Sequence, residues 1–283
     1  MSEFQDLTEA RRAEVNAALE ALLPEPQGGD PGRLREAMRY AVLQGGKRMR
    51  PVLTLAACEA AGGTIEQGMP AACALELVHA YSLVHDDLPA MDNDLERRGK
   101  PTVHVAFGHA NAILVGDALL TLAFQVLARG AKGTSRAAMA EGVVRMAHHA
   151  GIDGMVGGQA EDLALGQDID DLEVLERVHA LKTGGLYAAG GALGGLCAGA
   201  EMPQVDALER YGLWFGIAFQ HADDVLDDDQ QSLRSRALAR VDELTERCKG
   251  VAAEFGASGA GLRGLAEWVQ SRAHRAATGA KFE

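Results

Sequence analysis

Long segments that are apolar on almost every side of a helix constrain this fold most strongly. The segment ANAILVGDALLTLAFQVLA, residues 110–128, is apolar at nearly every position and contains no proline. A helix of this kind has no polar face to turn to water, so other helices must surround it. The sequence therefore predicts a large bundle with several helices inside.

Helical periodicity extends over most of the chain. TEARRAEVNAALEALL repeats apolar residues at helical spacing and stops at Pro24, and GRLREAMRYAVLQ stops at Gly45 and Gly46. Further helices are predicted at about residues 52–60, 70–92, 110–130, 135–150, 172–197, 205–227, 234–255 and 260–275. No segment alternates like a strand between turns, and no linker composition appears, so the sequence predicts one all-α domain over residues 1–283.

Two acidic clusters end apolar helical segments. In LVHDDLPAMDNDLERRGK, residues 83–100, Asp86 and Asp87 follow an apolar segment directly. In FGIAFQHADDVLDDD, Asp223 and Asp227 do the same, four residues apart on one helix face. Most acidic runs are solvated surface, but carboxylates at the ends of buried helices favour a metal site. Magnesium takes one or two carboxylates for each ion and adds water and substrate phosphate.

A glycine-led basic loop indicates phosphate binding. QGGKRMRPVL places Lys47, Arg48 and Arg50 after two glycines and before Pro51, a residue that suits the first turn of a helix. Cations beside a helix N-terminus form an anion site.

A second set of basic residues lies near the acidic clusters. Arg97 and Arg98 follow the first cluster, and Lys182 and Thr183 interrupt a later helical segment. Arginine binds phosphate through its two-pronged guanidinium. Two acidic and two basic groups of residues therefore suggest two phosphorylated ligands, one of them bound through metal.

Six successive motifs resemble those of the short-chain trans-prenyl diphosphate synthases of the bacterial farnesyl diphosphate synthase type. They are GGKRMRP, LVHAYSLVHDDLPAMDNDLERRGKPTVH, GHANAILVGDALLTLAF, GGQAEDL, HALKTGGL and GIAFQHADDVLD, and they span about residues 35–227. The resemblance implies an all-α fold around a central cavity, usually in a homodimer. It implies head-to-tail condensation of isopentenyl diphosphate with an allylic diphosphate, with Mg²⁺ as cofactor and three ions when the diphosphate is bound.

The resemblance also implies a role for each matching residue. The carboxylates that bind magnesium would be Asp86, Asp92 and Asp223, supported by Asp87 and Asp227. The allylic diphosphate would be held by Arg97, Lys182, Thr183 and Gln220. Isopentenyl diphosphate would be held by Gly46, Lys47, Arg50, His79 and Arg98. Among these, the candidate catalytic residues are Asp86, Asp87, Asp92, Asp223 and Lys182.

Helix geometry makes two predictions around Asp86. His79 lies one heptad earlier and so nearly on the same face, which favours a role in the site, whereas His85 points elsewhere. Asp92 lies six residues after Asp86, about 240° around a regular helix. Because Pro89 crowds the carbonyl of residue 85, we expect a kink or bulge between residues 86 and 92 that swings Asp92 back.

Product length is expected to depend on a residue one turn before Asp86. Simple helical geometry places Ser82 beneath this carboxylate. The resemblance instead implies that Tyr81 forms the bulky floor of the cavity and that the product has fifteen carbons. Geranylgeranyl diphosphate is the alternative product.

The segment after Asp227 departs from the family pattern. No lysine lies between Lys182 and Lys249, and the Lys-Ser/Thr-Tyr-Pro stretch that the family carries is missing. Either the protein lacks this loop, or a loop between residues 226 and 236 is unrecorded. In the first case, Arg234 or Arg236 would have to help hold the allylic diphosphate.

Composition excludes several other classes of function. A net charge of −13 and an aromatic content of 5% argue against a nucleic-acid surface. The acidic N-terminus and the lack of a run of eighteen apolar residues predict a cytoplasmic protein without stable membrane insertion. The four cysteines form no CxxC pair, so we expect plain thiols.

Three alternative functions remain open at this point. A metal-dependent phosphohydrolase would use His85 and Asp86, but a bare HD dipeptide is weak evidence. A class I terpene cyclase would share the bundle, but would carry an Asn/Asp, Ser/Thr and Glu motif where this chain has DDVLD. A non-catalytic partner would not need the intact aspartates.

Overall fold

The computed structural model describes residues 3–26, 29–166, 171–226 and 234–277. Backbone contacts divide the chain into two compact units, Met1–Val52 with Met69–Gly130, and Leu53–Gly68 with Ala131–Glu283. The prediction of a single domain stays a prediction.

The first unit contains six α-helices in whole or in part and one short hairpin. The helices before the hairpin are α1 (Glu3–Leu22), α2 (Leu34–Leu43), the start of α3 (Met49–Ala60) and most of α4 (Ile65–Asp86). The strands β1 (Glu96–Arg97) and β2 (Lys100–Pro101) follow, and then the helices α5 (Val103–Phe107) and α6 (His109–Arg129). A 3₁₀ turn, Pro31–Arg33, precedes α2.

The second unit is built from the remaining helices. They are α7 (Arg136–Ala150), α8 (Met155–Leu165), α9 (Leu172–His179), α10 (Gly185–Ala198), α11 (Met202–Leu226), α12 (Arg234–Glu254) and α13 (Ala260–Ala277). A π-helical segment, Ala180–Gly184, joins α9 to α10. The end of α3 and the start of α4 also belong to this unit.

The all-α prediction is confirmed, with two local corrections. β1 and β2 form a two-stranded antiparallel hairpin that the sequence analysis did not predict. The helix predicted at residues 70–92 begins earlier, at Ile65, and ends earlier, at Asp86. Two residues per strand are too few to produce an alternating pattern, which explains why the hairpin was missed.

Glycines bring α10 and α11 into backbone contact. A Cβ atom at Gly191 would lie 1.9 Å from the Leu208 carbonyl oxygen, and one at Gly212 would lie 2.1 Å from that of Tyr187. Every residue of α10 from Gly185 to Cys197 is buried. The prediction that helices apolar on all sides lie inside is therefore confirmed for α10.

Helix α6 does not follow that prediction. Val115, Leu119 and Ala123 are buried, but Ile113 and Leu114 are 48% and 52% exposed. In the single chain, the expectation that other helices surround this segment is wrong. Within the described ranges, α6 is also the one helix long and apolar enough to cross a membrane. One such helix is weak evidence, because core helices of soluble proteins meet the same criterion.

The contact between α10 and α11 makes a stability prediction. Gly212→Ala would force a methyl group against the Tyr187 carbonyl, so we expect a loss of about 1–3 kcal/mol in the free energy of unfolding. Gly250→Ala is the matched control, since this exposed position in α12 has open space around it. There we expect a gain of about 0.5–1 kcal/mol. Equal effects in urea titrations would contradict the close approach of the two helices.

Candidate active site

The break after Asp86 shapes the first acidic cluster. Helix α4 ends at Asp86, and the chain turns through residues 87–92. The Asp92 N–H donates to the Asp86 carbonyl at 2.9 Å, and the Asn93 N–H donates to the Leu88 carbonyl at 3.1 Å. Asn93 takes a left-handed backbone with φ 55°. The predicted bend between residues 86 and 92 is confirmed, and it returns Asp92 to Asp86.

Asp87 points away from solvent and pairs with the hairpin. Its side chain accepts a hydrogen bond from Arg97 Nε at 2.7 Å, and Arg97 Nη2 reaches Asp94 Oδ2 at 3.2 Å. Burial raises the pKa of Asp87, although the Arg97 guanidinium acts in the opposite direction. The structure thus gives Asp87 the task of holding Arg97. Its predicted role in supporting the magnesium ligands stays a prediction.

The hairpin turn presents Arg98 in a strained backbone conformation. Register across the hairpin leaves Arg98 and Gly99 as the two turn residues, with φ 57° and 75°. Two left-handed residues form a type I′ turn, whose first position normally carries asparagine, aspartate or glycine. Arg98 Nη1 donates to the Gly45 carbonyl, and a Cβ atom at Gly46 would lie 2.8 Å from Arg98 Nη2. Gly46 and Arg98 therefore lie in contact, and their predicted role in holding isopentenyl diphosphate stays a prediction.

His79 lies within reach of a cluster of positive charge. The side chain is half-buried, and burial together with nearby guanidinium groups holds its pKa well below the ordinary value. The guanidinium groups belong to Arg50, Arg98, Arg48 and Arg97. A neutral imidazole beside several fixed cations is suited to bind an anion. We call the group Gly46, Arg50, His79 and Arg98 the cationic recess.

Arg48 is buried, unlike Arg50 and Arg98, and it is bonded to other protein groups. It is 3% exposed, and its guanidinium donates to Glu76 Oε1 at 2.6 Å, to the Val42 carbonyl at 2.6 Å and to Asn16 Oδ1 at 2.9 Å. The suggestion that Arg48 helps to bind phosphate is therefore wrong, because all three nitrogens are already occupied by protein groups. Lys47 is exposed beside it.

Helix α6 fixes the end of α4 through His85. A Cβ atom at Gly116 would lie 2.0 Å from His85 Nε2, and this nitrogen lies 3.1 Å from the Ile113 carbonyl oxygen. Tyr81 is buried with its ring 5.8 Å from the imidazole, in an edge-to-face arrangement. Ser82 donates its hydroxyl to the His79 carbonyl at 2.9 Å. His85 thus positions the helix that carries Asp86.

In the second unit, the residues predicted to hold the allylic diphosphate lie in or beside the π-helical segment. Lys182 Nζ donates to Asp162 Oδ2 at 2.6 Å. Thr183 Oγ1 donates to Gln220 Oε1 at 3.0 Å, and Gln220 Nε2 donates to Asp224 Oδ1 at 3.0 Å. The predicted interruption of the helix at Lys182 and Thr183 is confirmed, and single π turns inside helices are frequent at functional sites.

Asp223 is held by a residue that the sequence analysis missed. Arg272, which lies on α13, donates to Asp223 Oδ1. Its guanidinium lies 5.2 Å from the centre of the Phe219 ring and 5.8 Å from that of Trp268, where cation–π attraction adds to the ion pair. The carboxylate predicted to bind magnesium is therefore paired with an arginine in this structure.

A buried histidine pair flanks Asp224. The rings of His179 and His221 are 4.7 Å apart, and His221 Nε2 lies 3.3 Å from Glu176 Oε1. Burial lowers the pKa of His221, although the Glu176 carboxylate acts in the opposite direction. Burial alone would raise the pKa of Asp224, but the neighbouring His179 and Gln220 lower it on balance.

Comparison with known proteins identifies the family of this chain. A profile of the polyprenyl synthetase family matches residues 31–234. The chain belongs to this family. It is 47% identical over 200 residues to a geranylgeranyl diphosphate synthase of Cyanophora paradoxa, covering 70% of this chain and 67% of that protein. It is 42% identical over 238 residues to the large subunit 1 of a heterodimeric geranylgeranyl pyrophosphate synthase of Arabidopsis thaliana, covering 82% and 63%.

Solved structures place the polyprenyl synthetase among the isoprenoid synthases. The crystal structure of an FPP/GFPP synthase from Zymomonas mobilis has a TM-score of 0.83 and 38% sequence identity. The match covers 94% of this chain and 98% of that one, whereas the two curated relatives are matched over 63 to 67% of their length. Family and fold together make this protein a prenyltransferase.

Some predicted residues cannot be placed in this polyprenyl synthetase. Asp227 and the interval 227–233, on which the question of the missing loop depends, lie outside the described residues. Asp86 and Asp92 belong to the first unit, and Asp223 belongs to the second. The prediction that the two acidic clusters share a ligand stays a prediction.

Other functional candidates were missed because their partners are distant in sequence. Asp162 and Arg272 hold Lys182 and Asp223 from other helices. Gln159, in the quoted motif GGQAEDL, has a buried carboxamide whose nitrogen and oxygen find no partner in the part of the chain that the structure describes. The motif was a signal for Gln159, but no spacing rule connects Arg272 with Asp223.

The contact between Gly116 and His85 is testable by a double-mutant cycle. We expect Gly116→Ala to expel the His85 ring and to lower the free energy of unfolding by about 1–3 kcal/mol, as overpacking does. His85→Ala makes room for the new methyl group. The double variant should therefore be more stable than the sum of the two single effects predicts. Strict additivity in urea titrations would contradict the contact.

Proposed function

We propose that this polyprenyl synthetase condenses isopentenyl diphosphate with dimethylallyl and geranyl diphosphate to give farnesyl diphosphate. The observation that carries the proposal is the cationic recess, which lies in the same unit as the turn that returns Asp92 to Asp86. The recess suits a diphosphate without metal, and the acidic turn suits one with metal. A condensation of two diphosphates needs both, whereas a hydrolase or a terpene cyclase needs one.

Mg²⁺ is the proposed cofactor. Asp86, Asp92 and Asp223 offer carboxylate oxygens, the ligands that magnesium prefers, so the donor set fits this ion. When bound, magnesium would neutralise the diphosphate that leaves the allylic carbon. The number of three ions, taken from the resemblance, stays a prediction.

The chain's own residues bind and orient the substrates in this proposal. Arg98, anchored on the Gly45 carbonyl, and the neutral His79 hold isopentenyl diphosphate. In the second unit, Lys182 and the Thr183 hydroxyl supply donors for the allylic diphosphate. Lys182 has ammonium protons besides the one that Asp162 accepts, whereas the Thr183 hydroxyl would have to turn from Gln220 to the diphosphate. Donors held this close to the leaving charge stabilise it with little reorganisation.

The reaction itself needs no nucleophilic side chain. The allylic carbon–oxygen bond breaks, the double bond of isopentenyl diphosphate attacks the cation, and a proton leaves to the departed diphosphate. Apolar walls keep water from the cation. The protein's contribution is therefore binding, orientation and electrostatic stabilisation.

Geranylgeranyl diphosphate is the second candidate product. The names of the relatives from Cyanophora paradoxa and Arabidopsis thaliana favour it. Tyr81 favours the shorter product, because the resemblance makes its buried ring, five residues before Asp86, the floor of the cavity. Ser82 is small and bonds to its own helix, so it offers no comparable obstacle.

A homodimer is proposed from the exposed apolar side of α6. Ile113 and Leu114 are about half exposed on a predominantly apolar helix, and a second copy could cover them. The Arabidopsis relative is named as part of a heterodimer, so a different partner is the competing arrangement. The mass of the purified protein by sedimentation distinguishes one chain from two.

An assay with isopentenyl diphosphate, dimethylallyl diphosphate and magnesium tests the function. We expect farnesyl diphosphate from the wild type, and a loss on the order of 10²-fold or more for Asp86→Ala or Asp223→Ala, because a preorganised electrostatic group is removed. Circular dichroism should remain helical in both variants.

Asp153→Ala is the matched control for these variants. This carboxylate is 69% exposed and pairs only loosely with His148, at 3.6 Å, so its removal should leave turnover unchanged. Near wild-type turnover of either folded variant at saturating magnesium would refute the metal assignment. A hydrocarbon or free phosphate as the product would refute the proposed reaction.

Replacing Tyr81 tests the floor of the cavity. We expect Tyr81→Ala to extend the product beyond fifteen carbons, because the buried ring is removed while Asp86 is kept. Tyr81→Phe keeps the ring and should leave the product unchanged. An unchanged chain length from folded Tyr81→Ala, measured by mass spectrometry, would eliminate Tyr81 as the floor.

A further inference from the structure

We propose that His179, His221 and Asp224 form a second metal site, for a transition-metal dication of the Zn²⁺ type. The two histidines lie at the end of α9 and in the last part of α11, and Asp224 lies one turn after His221. One ligand atom from each residue lies within 4.8 Å of the others. This site is separate from the proposed magnesium carboxylates and does not rest on the proposed function.

Unsatisfied buried atoms are the main support for this site. His179 is 6% exposed and His221 is fully buried. The Nδ1 atoms of both rings and Oδ2 of Asp224 are buried without a hydrogen-bond partner. Unsatisfied polar atoms inside proteins are costly and call for an explanation, such as an ion. A dication would give Nδ1 of His221 and Oδ2 of Asp224 a partner, while His179 faces Asp224 with its Nε2 atom.

Neighbouring groups hold these residues as outer ligands of a metal site do. Glu176 Oε1 lies 3.3 Å from Nε2 of His221 and accepts a hydrogen bond from Arg240 Nε at 2.7 Å. If Nε2 carries the proton, Nδ1 of His221 presents its lone pair. The Gln220 amide donates to Oδ1 of Asp224 at 3.0 Å, which leaves Oδ2 for an ion. Carboxylates and amides commonly orient metal ligands in this way.

A purely hydrogen-bonded network is the competing interpretation. Nε2 of His179 lies 3.2 Å from Oδ2 of Asp224, but this contact does not satisfy the oxygen. With metal–nitrogen bonds of about 2.0–2.1 Å, the ligand atoms of one ion lie within roughly 4.2 Å of one another, so any pair at the 4.8 Å limit would have to move closer. Small rotations of the three side chains would have to close the site around the ion.

The donor set separates this site from the magnesium carboxylates. Two imidazoles and one carboxylate suit zinc, iron or nickel, whereas magnesium prefers oxygen ligands. Asp223, next in the chain to Asp224, pairs with Arg272 instead. An ion on His179 and Asp224 would tie α9 to α11 and would hold Gln220 in place against Thr183.

Metal binding to the full-length protein tests the proposal. The purified protein is stripped with a chelator and dialysed against Zn²⁺ in a large excess of Mg²⁺, which occupies the carboxylate-only sites. We expect one Zn²⁺ per chain by elemental analysis, and a visible Co²⁺ spectrum typical of histidine ligation. Thermal unfolding should shift upward with Zn²⁺, because the folded state binds it.

Variants assign the bound ion to these residues. His221→Gln and Asp224→Asn should each weaken Zn²⁺ binding by tenfold or more, and His179→Gln provides a second histidine variant if one fails to fold. His148→Ala, at a side chain 55% exposed, and Asp223→Asn should retain the ion. No bound Zn²⁺ in the wild type, unchanged binding in folded His221→Gln, or loss in Asp223→Asn would each overturn the proposal.

Discussion

Mutual repulsion between carboxylates is the constraint on which this site depends. Asp86 and Asp92 belong on different sides of a regular helix, and their backbones meet only because α4 stops at Asp86. Pro89, which has no N–H, allows the turn that the Asp92 N–H then closes. Two aspartates whose backbones are joined in this way attract cations, and Arg97 supplies positive charge beside Asp86 before any metal arrives.

The arginines near these carboxylates bind two different kinds of partner. Arg97 and Arg272 pair directly with Asp87 and Asp223, whereas Arg98 is anchored on a main-chain carbonyl. A guanidinium bound to a neutral carbonyl keeps its full charge for a ligand, but one bound to a carboxylate is largely neutralised. The recess can therefore attract an anion while the acidic clusters remain balanced.

The features that could be predicted from the sequence are those that neighbouring residues determine. Periodicity placed most helices, and the chemistry of Pro89 placed the bend after Asp86. Long-range contacts were not predictable in this way. Arg272 meets Asp223 across 49 residues, and nothing in either segment specifies the other. The exposure of Ile113 was missed because an apolar pattern says that a face must be covered, not that the same chain covers it.

The left-handed backbone at Arg98 limits which residues this position can tolerate. Glycine would relieve the turn but would remove the cation, and lysine would keep a charge without the guanidinium fork that reaches Gly45. A β-branched residue would lose the charge and would also strain the turn. Few single substitutions at this position can therefore be neutral. We expect related sequences to carry a narrow range of residues here, even though the side chain is exposed.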